Sequence, residues 1–267
     1  MEAVFASSLK EPRAAAFVAG HLRDTQPAIV LSATAFSARG PDNTASPLDA
    51  AGVPVLQVVL AIGSRDAWAT SFRGLSQTDL AMQVVLPELD GRLLTTTISF
   101  KAEDAPLDGL DYARVVNRAD PDGIALAADR AAGWARLATQ LRRERRIAIM
   151  LSDYPGLGGQ MAHAVGLDTF ASLRAILSQL HRAGYATALP PDGYEATLAD
   201  ALCHADPAPF LTLADYARRR LTLPDALNRA IDAAWGDPAD DAAVRVGAFT
   251  LRYLRLGQVM VLSLIHI

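Results

Sequence analysis

Cysteine is nearly absent from this sequence, with Cys203 the single example in 267 residues. A lone cysteine cannot form an intramolecular disulfide, and it excludes a zinc site built from paired CxxC motifs. A chain of this length buries roughly 70–75% of the surface that its unfolded form exposes. It can therefore build a hydrophobic core without covalent or metal support.

Lysine is almost as rare, because only Lys10 and Lys101 occur among the 25 lysine and arginine residues. A P-loop needs a lysine in the pattern Gly-x4-Gly-Lys-Ser/Thr, since that side chain reaches the β- and γ-phosphates of the nucleotide. Neither lysine lies in such a context. If this chain takes part in an ATP-driven process, another chain hydrolyses the ATP.

Basic charge, aromatic rings and long apolar runs are also scarce. The net charge is −4 and aromatic residues make up 6% of the chain, which argues against a nucleic-acid-binding surface with its basic stripe and stacking rings. The longest apolar stretches, 53–62 and 259–267, are far shorter than the roughly 20 residues that cross a bilayer. No cationic start leads into an apolar run after Met1, so we expect a soluble cytoplasmic protein without a signal peptide.

Short apolar runs alternate with helical patterns along the chain. A helix is predicted from Pro12 to about Arg23, followed by strands at 28–34 and 54–63. Strands separated by helices of this length are typical of βαβ units with a parallel sheet. The predicted fold class is α/β, with two parallel-sheet βαβ lobes and an appended helical segment.

Changes in composition predict how the chain is divided. Residues 1–100 form the first predicted lobe, and 121–261 form the second, with a helical insertion at 190–242. The segment 101–120 is charged, contains proline and glycine, and lacks periodicity, so we predict a linker there. Residues 262–267 resemble a non-native tail.

Three local patterns give more specific predictions. Residues 76–85 should form a helix with Ser76 as its N-cap. The Asp-Gly pair at 90–91 predicts a strand-turn-strand element over 86–100. A long helix is expected at 121–143, and the arginines near its end either complement the helix dipole or form an anion-binding patch.

Two loops follow predicted strands and are candidates for ligand contact, at 36–47 and 152–168. In open α/β sheets, ligands bind at the carboxyl ends of the strands. The glycine-rich segment 155–159 departs from the dinucleotide pattern G-x-G-x-x-G, because its third glycine is displaced and the next helix starts only near Thr169. We interpret it as a flexible loop over a cleft, with Asp153 at the end of the strand.

Few titratable residues point to a reaction. None of the five histidines shows HExxH spacing, and His163 is either a metal or proton-transfer residue or an ordinary loop histidine. Asp168 precedes an apolar helix, where an N-cap explains it. Residue chemistry alone does not name a reaction.

Two long blocks, Trp68 to Lys101 and Arg146 to Tyr185, resemble the large subunit of aerobic cobaltochelatase, the CobN type. The related magnesium chelatase H subunit shares Trp68, Ser71, Gly74 and the Leu-Pro-Glu-Leu-Asp-Gly turn at 86–91. The DYPG loop and the sequence VGLDTFAS are similar to the cobalt enzyme rather than to the magnesium enzyme. Members of this family are several times longer, so the resemblance implies an internal fragment that is inactive alone.

The resemblance also implies an activity. Aerobic cobaltochelatase inserts Co²⁺, its substrate, into hydrogenobyrinic acid a,c-diamide during cobalamin biosynthesis. Its large subunit binds the corrinoid, while two AAA+-type subunits, of the CobS and CobT type, use ATP and Mg²⁺. This division of work agrees with the absence of a P-loop lysine.

Within this family, the expected substrate-binding residues are Asp153, Tyr154, His163 and Asp168, and no metal-transfer residue can be named. Relatives usually carry arginine after the glycines of the second loop, where this chain has Gln160, which puts a cationic contact there in doubt. Two other functions stay open. The chain could belong to a magnesium chelatase H subunit that binds protoporphyrin IX, or it could be a non-catalytic scaffold for the ATPase subunits.

Overall fold

A computed structural model describes residues 8–40, 45–105, 109, 112–151, 166–188, 195–204 and 206–263. The chain divides into two compact units, Met1–Thr139 and Gln140–Ile267. Within the described residues, no helix is long and apolar enough to cross a membrane.

The first unit is built on a four-stranded sheet in the order β1-β2-β3-β4. β1, β2 and β3 run parallel, and β4 pairs antiparallel with β3. The strands are Val30–Ser32 (β1), Val55–Leu60 (β2), Leu93–Glu103 (β3) and Val115–Ala119 (β4). Residues 55–59 of β2 are all buried, as expected for an apolar strand that is covered on both faces.

Helices of the first unit precede and follow these strands. They are Pro12–Thr25 (α1), Arg65–Thr70 (α2), Gln77–Asp79 (α3), Leu86–Leu89 (α4) and Pro121–Thr139 (α5), with a 3₁₀ helix at Pro47–Ala51. A π-helical segment, Leu80–Val85, connects α3 to α4. The predicted helix that starts after Ser76 is present, and the Ser76 hydroxyl accepts a hydrogen bond from the backbone N–H of Asp79.

α5 lies against β3, and a glycine allows the close approach. A Cβ atom at Gly123 would lie 2.0 Å from the carbonyl oxygen of Thr97, so no larger residue fits there without a shift. Asp120 caps the helix by accepting a hydrogen bond from the Gly123 N–H. α5 therefore belongs to the first unit.

The division of the chain differs from the predicted linker at 101–120. Residues 101–103 continue β3, and Val115–Ala119 form β4, so much of this segment belongs to the sheet. The Asp104 carboxylate accepts hydrogen bonds from Arg114 and Arg118, which lie across the hairpin. The charges that suggested a linker thus pair with one another beside the pairing of β3 with β4.

Two predicted elements have different bounds in the structure. Residues 86–89 are helical rather than extended, because they continue the helical segment from 77 and Pro87 is accommodated in the first turn of α4. The strand starts only at Leu93, after the turn at Asp90 and Gly91. α5 ends at Thr139, and Arg142–Glu144 form a separate 3₁₀ turn.

The second unit contains two three-stranded sheets, in the orders β5-β10-β9 and β6-β8-β7. β5 and β10 are parallel, and the remaining pairs are antiparallel. The strands are Ile147–Leu151 (β5), Ala208–Thr212 (β6), Val244–Arg245 (β7), Ala248–Leu251 (β8), Tyr253–Leu256 (β9) and Val259–Ser263 (β10). With parallel strands and helices in one chain, the α/β fold class is confirmed.

The second unit has its core between the first of these sheets and two helices. Four helices belong to this unit within the described residues: Thr169–Arg182 (α6), Glu195–His204 (α7), Leu213–Arg220 (α8) and Asp225–Trp235 (α9). Fully buried leucines of α6 and α7 pack against β5 and β10; they are Leu173, Leu177, Leu198 and Leu202. The i, i+4 spacing within each helix places each pair on one face.

β6 is a strand within the region 190–242 that we predicted to be helical. Pro207 and Pro209 had suggested breaks between helices, but Pro209 lies inside an edge strand, where a missing N–H costs least. The register with β8 shifts between Pro209 and Leu211, which accommodates the proline. Local sequence could not reveal this pairing, because β8 lies about 40 residues further along the chain.

Candidate functional site

The predicted site residues fall in two groups. Asp153, Tyr154 and His163 lie outside the described residues, so their placement stays a prediction. Asp168 is the N-cap of α6, and its Oδ1 accepts a hydrogen bond from the Ala171 N–H at 2.9 Å. This contact agrees with the capping interpretation, while a role in substrate binding stays a prediction.

The first candidate loop, predicted at 36–47, is described at 36–40 and 45–47, and it follows the carboxyl end of β1. Phe36 has a φ angle of 65°, a left-handed conformation that is uncommon for an aromatic residue. Its N–H donates a 2.7 Å hydrogen bond to the carbonyl oxygen of Met82 in the π-helical segment. Half of the Phe36 surface remains exposed, so the loop presents this ring to its surroundings.

A buried carboxylate holds this loop in place. Asp90 accepts hydrogen bonds from the Ser37 hydroxyl at 2.5 Å and from the Ala38 N–H at 2.6 Å. The Asp90 side chain is fully buried, and it forms a 3.1 Å ion pair with Arg92 and lies 3.8 Å from Arg39 Nε. Asp90 was expected only as a turn residue, but its carboxylate also anchors a loop more than 50 positions away.

Arg92 joins the loop to the sheet. Its side chain is 2% exposed, and Nη1 donates to Ser32 and Thr34 of the β1 end and to the side-chain oxygen of Gln57 on β2. A buried ion pair offsets its desolvation cost only when its remaining hydrogen-bonding groups find partners. The oxygens around Arg92 meet that condition for Nη1 and Nη2, whereas the buried Nε has no hydrogen-bond partner among the described residues. The loop is held by this polar frame.

A second polar frame holds the π-helical segment against β2. The Gln83 side chain exchanges two hydrogen bonds with the backbone of Leu60, one from its amide nitrogen and one to its oxygen. Asp79 accepts from the Ile62 N–H, from Gln83 and from the Ser76 hydroxyl. β1 pairs only with residues 55–57 of β2. Further along the same side of the strand, the backbone groups of Leu60 and Ile62 therefore form hydrogen bonds with side chains instead of a neighbouring strand.

The residues that carry the family resemblance have structural roles nearby. Trp68 packs against Phe100 with ring centroids 5.5 Å apart, and the Arg65 guanidinium lies 5.4 Å from the Trp68 ring. Gly74 has a positive φ and lies close to the indole, since a Cβ atom there would be 3.3 Å from Trp68 Nε1. These residues stabilise the connection between β2 and α3.

The arrangement is suited to binding rather than to proton transfer. The carboxylates of Asp79 and Asp90 are occupied by several donors each, and across the part of the chain described here no three metal-ligating side chains cluster. What the loop and the π-helical segment expose is apolar: Phe36, Met82 and Val85 are each at least one-third exposed. A rigid apolar rim fits a ligand with a large apolar surface.

Comparison with known proteins identifies the family. The CobN/Magnesium Chelatase family model matches residues 1–263. The chain is 36% identical to the aerobic cobaltochelatase subunit CobN of Sinorhizobium sp. over 97% of its length, and 34% identical to that of Pseudomonas aeruginosa over 94%. The catalytic subunit of cobaltochelatase from Mycobacterium tuberculosis has a similar structure, with a TM-score of 0.77 and 29% identity over 97% of this chain.

The match confirms the resemblance that the sequence blocks indicated. This chain spans only 21% of each CobN relative and 23% of the mycobacterial chain. Leu262 and Ser263, which we predicted to be part of a non-native tail, belong to β10 and lie within the residues that the family model matches. The chain belongs to the CobN/magnesium chelatase family.

Proposed function

We propose that this chain is part of the corrinoid-binding large subunit of an ATP-dependent cobaltochelatase, which inserts Co²⁺ into hydrogenobyrinic acid a,c-diamide in cobalamin biosynthesis. The observation that carries the proposal is the sequence similarity of this chain to two CobN subunits, which extends over 94% or more of its length. The cobalt ion is a substrate of the reaction, and the location of the enzyme is cytoplasmic in this proposal.

Metal insertion makes three physical demands. The hydrated cation must lose water, the ring nitrogens must lose protons, and the macrocycle must bend so that its lone pairs point at the metal. An enzyme meets these demands with a general base, a transient metal ligand and a conformational change. A rigid wall that holds the ring is a precondition for each, because a loose ring would absorb the bending force.

The described part of the first loop at 36–40 has the properties of such a wall. Its anchors, Asp90 and Arg92, are buried and hydrogen-bonded to each other, so the exposed Phe36 ring costs little further entropy when a ligand binds. The strained φ angle of Phe36 is of the kind that concentrates at binding sites. In this proposal, the loop contacts the apolar periphery of the corrinoid.

The proton and metal chemistry is assigned to the second loop. Asp153 and His163 are the proposed ring or metal contacts, with Tyr154 and Asp168 as further substrate-binding residues. Carboxylate and imidazole groups accept protons near neutral pH and also ligate divalent cations. Two AAA+-type subunits of the CobS and CobT type, using ATP and Mg²⁺, supply the conformational input.

Equilibrium binding tests the proposal. The large subunit that contains this segment should bind hydrogenobyrinic acid a,c-diamide more tightly than protoporphyrin IX, as measured by fluorescence quenching. In cobalt-insertion assays with both ATPase subunits, Asp153→Ala and His163→Ala should lower the rate. Preference for protoporphyrin IX would instead assign the chain to a magnesium chelatase H subunit.

A scaffold role is the second candidate, favoured by the engagement of Asp79 and Asp90 in structural hydrogen bonds. If it is correct, the chain should capture the ATPase subunits in a pull-down without corrinoid, and the two alanine substitutions should leave the insertion rate unchanged.

A further inference from the structure

The sheet β5-β10-β9 of the second unit has two unlike faces. Ile147, Ile149, Val259 and Val261 point to the core with α6 and α7. Alternation along each strand places the intervening residues on the opposite face. There the strand register aligns Ala148, Met260 and Arg255 in one row across the three strands.

A cavity of about 330 Å³ lies on this opposite face. Its floor includes Ala148 and Met260, and its sides include Tyr253 of β9 and Phe210 of β6. Phe210 is 52% exposed, so its ring is available for contact. Small-molecule pockets have volumes of roughly 300–1,000 Å³, and this cavity is at the lower end of that range.

Two arginines, Arg146 and Arg255, give the cavity a positive charge, and among the described residues no aspartate or glutamate lines it. Both arginines are exposed, and neither has an ion pair or side-chain hydrogen bond with any residue that the structure describes. By contrast, Arg220 of the same unit pairs with Asp232 and Asn228. The cavity thus holds two guanidinium groups beside two aromatic rings and a thioether.

Each of these groups selects a feature of a ligand. Guanidinium binds carboxylate through two parallel hydrogen bonds. Aromatic rings and methionine contact flat apolar surfaces with little loss of conformational entropy. The combination fits an apolar, planar molecule with carboxylates on its rim.

We propose that this cavity binds one edge of the corrinoid, with Arg146 and Arg255 bound to its peripheral carboxylates and Phe210 and Tyr253 against its apolar side groups. The identity of the ligand rests on the proposed function, whereas the position of the contact rests on the cavity. The cavity admits an edge of the macrocycle rather than the whole ring.

Calorimetric titration of this chain tests the proposal, with hydrogenobyrinic acid a,c-diamide as the probe. Arg255→Gln and Arg146→Gln should each weaken binding about tenfold, since each removes a charge-assisted hydrogen bond. Arg219→Gln is the matched control, because Arg219 is an exposed arginine of the same unit outside the cavity. It should leave the affinity unchanged.

A second probe isolates the carboxylates. When the free carboxyl groups of the corrinoid are converted to methyl esters, the wild-type affinity should fall, and the two glutamine variants should no longer differ from wild type. Unchanged affinity of both variants for the free acid would overturn the cavity as the contact and leave the proposed function standing. Absence of binding by the wild-type chain would also overturn the cavity as the contact. The proposed function is tested separately, by measuring cobalt insertion by the complete large subunit.

Discussion

The buried ion pair between Asp90 and Arg92 offers the sharpest test of how the first candidate loop is held. Asp90→Asn keeps the size of the side chain but removes the charge that faces Arg92, whose side chain is 2% exposed. Removing one partner of a buried pair costs roughly 3–5 kcal/mol, because the other charge stays desolvated and unpaired. Typical domains have a total stability of only about 5–15 kcal/mol, so this loss would be easily measured.

Urea unfolding followed by circular dichroism measures that loss. A lower midpoint with an unchanged m-value shows that stability changed rather than the compactness of either state. Trypsin gives a local measurement, because cleavage after Arg39 reports on the loop itself. We expect faster cleavage there in the variant, since the Ser37 and Ala38 hydrogen bonds to Asp90 weaken.

A double-mutant cycle separates the ion pair from the hydrogen bonds to the loop. Arg92→Met removes the cation, and in that background Asp90→Asn should cost much less than it does alone. A loss below about 1 kcal/mol for Asp90→Asn in the wild-type background, with unchanged cleavage after Arg39, would refute the reasoning, because a surface pair behaves in that way.

Three further predictions follow from single positions. Gly123→Ala places a Cβ atom 2.0 Å from the Thr97 carbonyl oxygen and should lower the free energy of unfolding by about 3 kcal/mol in urea titrations. Hydrogen bonding from Arg65 lowers the pKa of Asp120 below its ordinary value of 3.8, so Asp120→Asn should destabilise the chain at pH 7, with the difference disappearing as the pH falls below that value. Phe36→Gly should retain thermal stability, because glycine suits its positive φ, while corrinoid binding weakens.

Each of these has a control. Gly133→Ala lies on the same helix, where a Cβ atom would meet only the flexible end of Arg136 in ordinary contact at 3.9 Å, and should raise stability by about 0.5–1 kcal/mol. An equal loss at both glycines would contradict the packing argument. A difference between Asp120→Asn and wild type that persists in acid would show that charge is not the cause. Unchanged corrinoid affinity in Phe36→Gly would remove the ring from the proposed site.

Family and fold class could be predicted well from the sequence. The apolar run at 54–63 indicated a doubly covered strand, and residues 55–59 of β2 are buried. A serine and an aspartate before helices indicated caps, and Ser76 and Asp168 both accept capping hydrogen bonds. Such signals are local, because a cap or a strand pattern is decided by residues within a few positions of one another.

The site could be predicted only in part. The loop after β1 was identified from its composition and its place after a strand, but its anchor was not, because no local pattern connects Asp90 with Ser37. The cavity of the second unit was missed for a similar reason. Arg146 and Arg255 are more than 100 positions apart and come together only through the pairing of β5, β10 and β9.

By itself, the sequence determined several of the strands, most helices, the missing P-loop lysine and the family, but it missed β4 and β6. Tertiary structure decided which strands pair, where the first unit ends, and which polar side chains are buried with partners. The physical reason is the sequence distance over which each kind of interaction acts. Helix caps and hydrophobic periodicity act over a few residues, whereas ion pairs, edge-strand pairing and the two faces of a sheet depend on contacts between distant parts of the chain.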